Sequence, residues 1–145
     1  MDIKIKDITE AGGNAPQLPM FDYVKAGFPS PATDYAGDRI DIVKEVVRHP
    51  NTTFYARISG DSMNDAGIFD GDIVVIDRSL EPRNGDYVVA YIDGEFTLKE
   101  FRLDTENDCA WLIPHNKAYS PIRVDKNDEF LIWGVMTHNI HPTRH

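Results

Sequence analysis

The sequence predicts a mostly β domain with one short helix and a flexible N-terminal arm, and three observations carry that prediction. Glycines and prolines crowd residues 1–37, one segment alone shows helical apolar spacing, and everything after Pro50 breaks into short β-rich runs. At 145 residues the chain is long enough to bury a core but too short for two independent domains. The division expected is an arm at 1–37 and a β-rich body at 38–145.

In the arm, Gly12, Gly13, Pro16, Pro19, Gly27, Pro29, Pro31 and Gly37 leave little room for a regular element. Phe28 and Ser30 each precede a proline and are biased toward extended backbone, which suits a segment read as a strand by a cleft. An ordinary linker has the same composition. From Asp38 to His49, Ile40, Val43 and Val47 recur at i, i+3 and i+7, with Asp38 placed as a cap and Pro50 just beyond the end. This predicts the one helix and excludes a helix-turn-helix reader of DNA, which needs more.

Beyond Pro50 the strands predicted are Thr53 to Ser59, Asp72 to Asp77, Asp86 to Ile92, Glu95 to Phe101, Ala110 to Ile113 and Phe130 to Thr137. Asp93-Gly94 separates two of them as a two-residue turn, so residues 86–101 should form one antiparallel hairpin.

Composition narrows the partners. Hydrophobic residues at 41% and charged residues at 27% describe a soluble globular protein. A formal charge of -9 argues against direct nucleic-acid binding, which relies on clustered Lys and Arg. No apolar run approaches the ~20 residues of a membrane span, and the opening residues lack the apolar core of a secretory signal. The single cysteine, Cys109, forms no internal disulfide and fits a reducing, cytoplasmic setting. No metal or cofactor is expected.

Candidate chemistry begins at Ser59-Gly60-Asp61-Ser62-Met63, where a strand ends in a glycine turn that can expose a hydroxyl beside backbone N–H groups. A plain Gly-Asp-Ser turn reads the same way. A nucleophilic serine needs a base, yet none of His49, His115, His138, His141 and His145 sits in a triad signature, and the last three read as a solvated tail. The other candidate is Lys99, on the second strand of the hairpin, where alternation groups it with Thr97 and Phe101. Alternation alone makes it a solvent-facing lysine. A catalytic Lys99 would have to be buried beside Ser62, with its pKa lowered from ~10.4 toward ~7 at a cost of ~4 to 5 kcal/mol.

Taken together, these residues resemble the UmuD and LexA family of self-cleaving serine-lysine proteases. Ser59-Gly60-Asp61-Ser62-Met63 is similar to the family's nucleophile turn, Phe96-Thr97-Leu98-Lys99 to its lysine strand, and the 37-residue separation of Ser62 and Lys99 fits. The glycine-aspartate turns at Gly71-Asp72 and Gly85-Asp86, then Leu112-Ile113-Pro114, Asn116, Tyr119-Ser120-Pro121-Ile122 and Trp133-Gly134-Val135, extend the likeness over about residues 20 to 138. In the arm, Ala26-Gly27-Phe28-Pro29-Ser30-Pro31-Ala32 resembles the processing site of the UmuD branch, with alanine where UmuD has cysteine.

The resemblance implies a signal-peptidase-like β-rich catalytic domain that cleaves its own chain between Ala26 and Gly27. Neutral Lys99 would take the proton of Ser62, backbone N–H groups of Asp61 and Ser62 would hold the oxyanion, and Thr97 would orient the lysine. It further implies a homodimer, cleavage stimulated by a RecA filament on single-stranded DNA during the SOS response, and a trimmed form that joins a UmuC-like Y-family polymerase in translesion synthesis. Gln17-Leu18-Pro19-Met20-Phe21 looks like a peptide that docks on the β sliding clamp, or else is an apolar patch in the arm. Competing readings are a protease acting on other proteins, repressor-derived or signal-peptidase-like, as Val24-x-Ala26 would allow, and a dimeric polymerase-binding module without catalysis.

Overall fold

The computed structural model describes residues 4–10, 18–19 and 39–144, with side-chain environments from 39 to 144 and at Leu18. Among the described residues the architecture is one eight-stranded antiparallel sheet and a separate two-stranded ribbon, with one short α-helix. In chain order the elements are β1 (Lys4–Glu10), β2 (Leu18–Pro19), β3 (Arg39–Ile40), α1 (Ile42–Val46), β4 (Thr53–Ser59), β5 (Ile73–Asp77), β6 (Tyr87–Ile92), β7 (Glu95–Asp104), β8 (Cys109–Ile113), β9 (Ile122–Val124) and β10 (Phe130–Ile140). Across the large sheet they run β1-β4-β5-β10-β6-β7-β8-β9.

The long strand β10 joins the two halves, pairing with β6 over Phe130 to Val135 and with β5 over Val135 to Ile140. Irregularities between Ile132 and Gly134 and between Met136 and His138 bend it from one partner to the other. Gly134 lies at the bend, where a Cβ would sit 2.5 Å from the Ile76 side chain, so only glycine lets the strands approach this closely. Two apolar cores result. Ala56, Ile58, Met63, Ile68, Val74, Ile76, Val89 and Leu98 form one, and Val88, Ala90, Ala110, Leu112, Val124 and Val135 the other. Successive residues of β6 serve different cores, which explains its unbroken apolar run Val88-Val89-Ala90.

The β6–β7 hairpin turns where its sequence says it should. Asp93 and Gly94 both take positive φ, 49° and 87°, the requirement of a type I′ turn, and Val88 pairs with Lys99 across the hairpin.

Two expectations need correction, and one strand went unforeseen. The helix is five residues rather than Asp38 to His49: Arg39–Ile40 is drawn into the ribbon with Leu18–Pro19, and Asp41 becomes the cap, its carboxylate accepting from the N–H of Val43 and Lys44. The arm does contain regular structure, since Lys4–Glu10 pairs antiparallel with β4. The breakers begin only at Gly12 and do not reach this segment. Strand β9, three residues directly after Pro121, was too short to show a pattern.

Candidate active site

β4 ends at Ser59, and Gly60 reverses the chain with φ 106°, its N–H donating to the Asp70 carboxylate at 2.9 Å. The turn then runs through Asp61 and Ser62 into a 3-10 turn at Asn64–Ala66, ended by Gly67 in left-handed conformation. From β7 comes Lys99. Its Nζ lies 3.1 Å from Ser62 Oγ, 2.8 Å from Thr97 Oγ1 and 3.2 Å from the Leu98 carbonyl. Ser62 is 0% exposed and Lys99 1%. The solvent-facing reading of Lys99 therefore does not hold: the side chain is buried and meets Ser62 in the turn after β4.

Burial of an amine disfavours its charged form. Nζ is within donating distance of three neutral oxygens, those of Ser62, Thr97 and Leu98.

A second loop, between β8 and β9, grips the nucleophile turn. His115 N–H donates to the Ser62 carbonyl and the Asp65 N–H donates to the His115 carbonyl, both at 2.8 Å. Asn116 Nδ2 donates to the Asp61 carbonyl at 2.9 Å, and the Tyr119 hydroxyl to the Asp61 carboxylate at 2.6 Å. The Tyr119 bond holds the Asp61 carboxyl below its ordinary value. His115 is steadied by Glu100 at 3.0 Å and by the edge of its ring contact with Tyr87. None of His115, Asn116, Tyr119 or Glu100 was assigned a role from sequence; Asn116 and Tyr119 stood out only as part of the family pattern.

The other histidines lie elsewhere. His49 Nδ1 meets Asp77 at 2.5 Å and Ser79 Oγ at 3.4 Å. Both partners address one ring nitrogen, whereas a catalytic triad places serine and carboxylate on opposite nitrogens. Although burial opposes it, bonds from His49, Ser79 and Thr52 lower the Asp77 pKa to about 2. His138 bonds its neighbour Thr137, while His141 is no solvated tail: it pairs with the buried Asp72. His145 lies outside the described residues. Among the described residues no three His, Cys, Asp or Glu side chains group as metal ligands, and no helix is long and apolar enough to cross a membrane. Cys109 is buried on β8.

Of the remaining predicted site residues, Ala26, Gly27, Gln17, Met20 and Phe21 lie outside the described residues. Leu18 is exposed and pairs with Ile40.

The Peptidase S24-like family matches residues 19–137. The ImpA protein of Salmonella typhimurium is 40% identical over 141 residues, covering 92% of this chain and 90% of its own. The MucA protein of Escherichia coli is 41% identical over 142 residues, covering 94% and 95%. A LexA repressor from Carboxydothermus hydrogenoformans is 37% identical over 115 residues, which span 79% of this chain and 55% of the repressor.

Proposed function

The chain belongs to the Peptidase S24-like family, and from that premise we propose that it is a UmuD-type protease that cleaves its own chain at Ala26-Gly27 with a Ser62–Lys99 dyad. The observation that supports the reading is the 3.1 Å contact between a buried lysine amine and a buried serine hydroxyl, a distance at which a proton can pass between them. Neutral Lys99 takes the Ser62 proton as Oγ attacks the Ala26 carbonyl. The tetrahedral intermediate collapses by expelling the Gly27 nitrogen, which receives the proton from Lys99. Water, deprotonated by Lys99, then hydrolyses the Ala26 ester and restores Ser62.

Backbone N–H groups of Asp61 and Ser62 hold the developing oxyanion, and Thr97, 2.8 Å from Nζ, orients the amine. Because substrate and site share one chain, tethering raises effective concentration and permits a weak recognition sequence. The same reading makes the protein a cytoplasmic homodimer of the SOS response, its cleavage stimulated by a RecA filament on single-stranded DNA. Residues 27–145 then serve an error-prone UmuC-like polymerase. The likeness to ImpA and MucA over nearly the whole chain favours this branch over a repressor. Docking of residues 17–21 on the β clamp would be lost on cleavage, since they lie in the discarded fragment.

Intact-mass analysis of the purified chain at alkaline pH, with and without RecA filaments, tests the reading. Fragments 1–26 and 27–145 are expected, and Gly27→Lys should block their formation. A wild-type chain that stays whole in both conditions, or a Gly27→Lys chain that yields the same fragments, overturns it.

A further inference from the structure

The loop after β8 contacts the nucleophile turn at backbone positions, and one contact bears on the chemistry rather than on the fold alone. Asn116 Nδ2 holds the carbonyl oxygen of Asp61 at 2.9 Å, on the side where the turn's own Asn64 N–H reaches it at 3.2 Å. The Asp61–Ser62 peptide is planar and trans, so its carbonyl and the Ser62 N–H point in opposite directions. Whatever fixes the carbonyl aims the N–H. The Asn116 amide is itself fixed, because its Oδ1 accepts from the Ala118 N–H at 2.9 Å. The next peptide is held likewise, with the Ser62 carbonyl accepting from His115 N–H at 2.8 Å.

We propose that Asn116 is the positioning residue of the oxyanion site: by holding the Asp61 carbonyl it turns the Ser62 N–H toward the substrate carbonyl that Ser62 attacks. The inference rests on the self-cleavage reading and deepens it. Asn116 touches no reacting atom. It acts through one peptide plane, and its loss leaves the Asn64 bond, which comes from within the same short turn and moves with it. A donor on a separate loop, anchored at Glu100 through His115, gives the plane an external reference. Electrostatic stabilisation of this kind depends on donors already aimed when charge develops.

The prediction separates aim from basicity. In Asn116→Ala, and in Asn116→Leu, which keeps the forked side-chain shape but can neither donate nor accept, the self-cleavage rate at its high-pH plateau should fall roughly ten- to hundredfold, somewhat less than the ~10²–10³ lost when an oxyanion donor is deleted outright. The pH at which the rate is half maximal should stay where it is in wild type, because the contacts of Lys99 with Ser62, Thr97 and Leu98 are untouched. Thermal melts of the same samples confirm that both variants are folded at the assay temperature. A wild-type plateau in either folded variant overturns the inference, as does a fall in rate that comes with a displaced midpoint, since the loop would then be acting on the dyad as a whole. Should Asn116→Ala fold poorly, Asn116→Leu alone decides. A wild-type chain that never cleaves sinks the self-cleavage reading and this one with it, an outcome distinct from cleavage that is indifferent to Asn116.

Discussion

Two buried polar residues of the sheet, Asp77 at the end of β5 and Lys99 in the middle of β7, are built in opposite ways. Asp77 is surrounded by donors, His49, Thr52, the Ser79 hydroxyl and the Ser79 N–H, all of which favour its charged form and hold its pKa at about 2. Its charge is locked and it does structural work, tying the segment before β4 to β5. Lys99 is bonded to the neutral oxygens of Ser62, Thr97 and Leu98, which give an ammonium far less than a carboxylate would. On the proposed reading Asp77 is a fastening and Lys99 a reagent, and the contrast between them can be tested.

The largest effect expected from this contrast is at Lys99. Lys99→Ala and Ser62→Ala should each abolish self-cleavage while leaving a folded chain; residual cleavage at the wild-type rate in either would break the comparison.

Asp77 should show the reverse, an effect on stability and none on the chemistry. A carboxylate whose pKa is about 2 when folded and near 3.8 when unfolded stabilises the fold at pH values above 3.8, and that contribution is lost as pH falls through 3.8 toward 2. The expected size is ~2 kcal/mol. Asp77→Asn should lower the melting temperature by roughly 4 to 8 °C at neutral pH and flatten the acid limb of the stability curve. The high-pH cleavage plateau, measured where the variant is folded, should match wild type. An unchanged melting temperature would show that the Asp77 bonds contribute nothing net.

A smaller effect is expected at Thr97. The Thr97 oxygen accepts from Lys99 Nζ and so favours the ammonium form. Thr97→Val should therefore shift the cleavage midpoint to lower pH while the plateau drops about tenfold, as expected for a less well-oriented base. A midpoint that moves up instead would reverse the assigned role.

What could be read in advance follows from how far apart the interacting residues are in the chain. The β6–β7 hairpin was legible because its turn chemistry is local: Asp93-Gly94 supplies both positive φ values. The alternation of β7 placed Thr97 and Lys99 on one side correctly but gave the wrong environment, because Lys99 is buried and its contact with Ser62 comes from a turn 37 residues away. The grip of Asn116 and Tyr119 on Asp61 spans 55 and 58 residues, and the His141–Asp72 pair spans 69; no periodicity encodes such contacts. The helix was overextended for a related reason, since Arg39 and Ile40 follow their strand partners Pro19 and Leu18 rather than local spacing. Family likeness supplied Ser62 and Lys99 as a pair, which neither local pattern did.

The central claim is that Lys99 is the base, and its own titration tests this most directly. The Ser62→Ala chain, which should not cleave, permits Lys99 to be followed by NMR of its side-chain carbon and nitrogen across pH, beside the cleavage rate of wild type over the same range. The account predicts that Lys99 loses its proton well below the ordinary lysine value of ~10.4 and that wild-type cleavage rises with a midpoint close to that pH. A Lys99 that titrates at the ordinary value, or a cleavage rate that does not follow its deprotonation, would contradict the account.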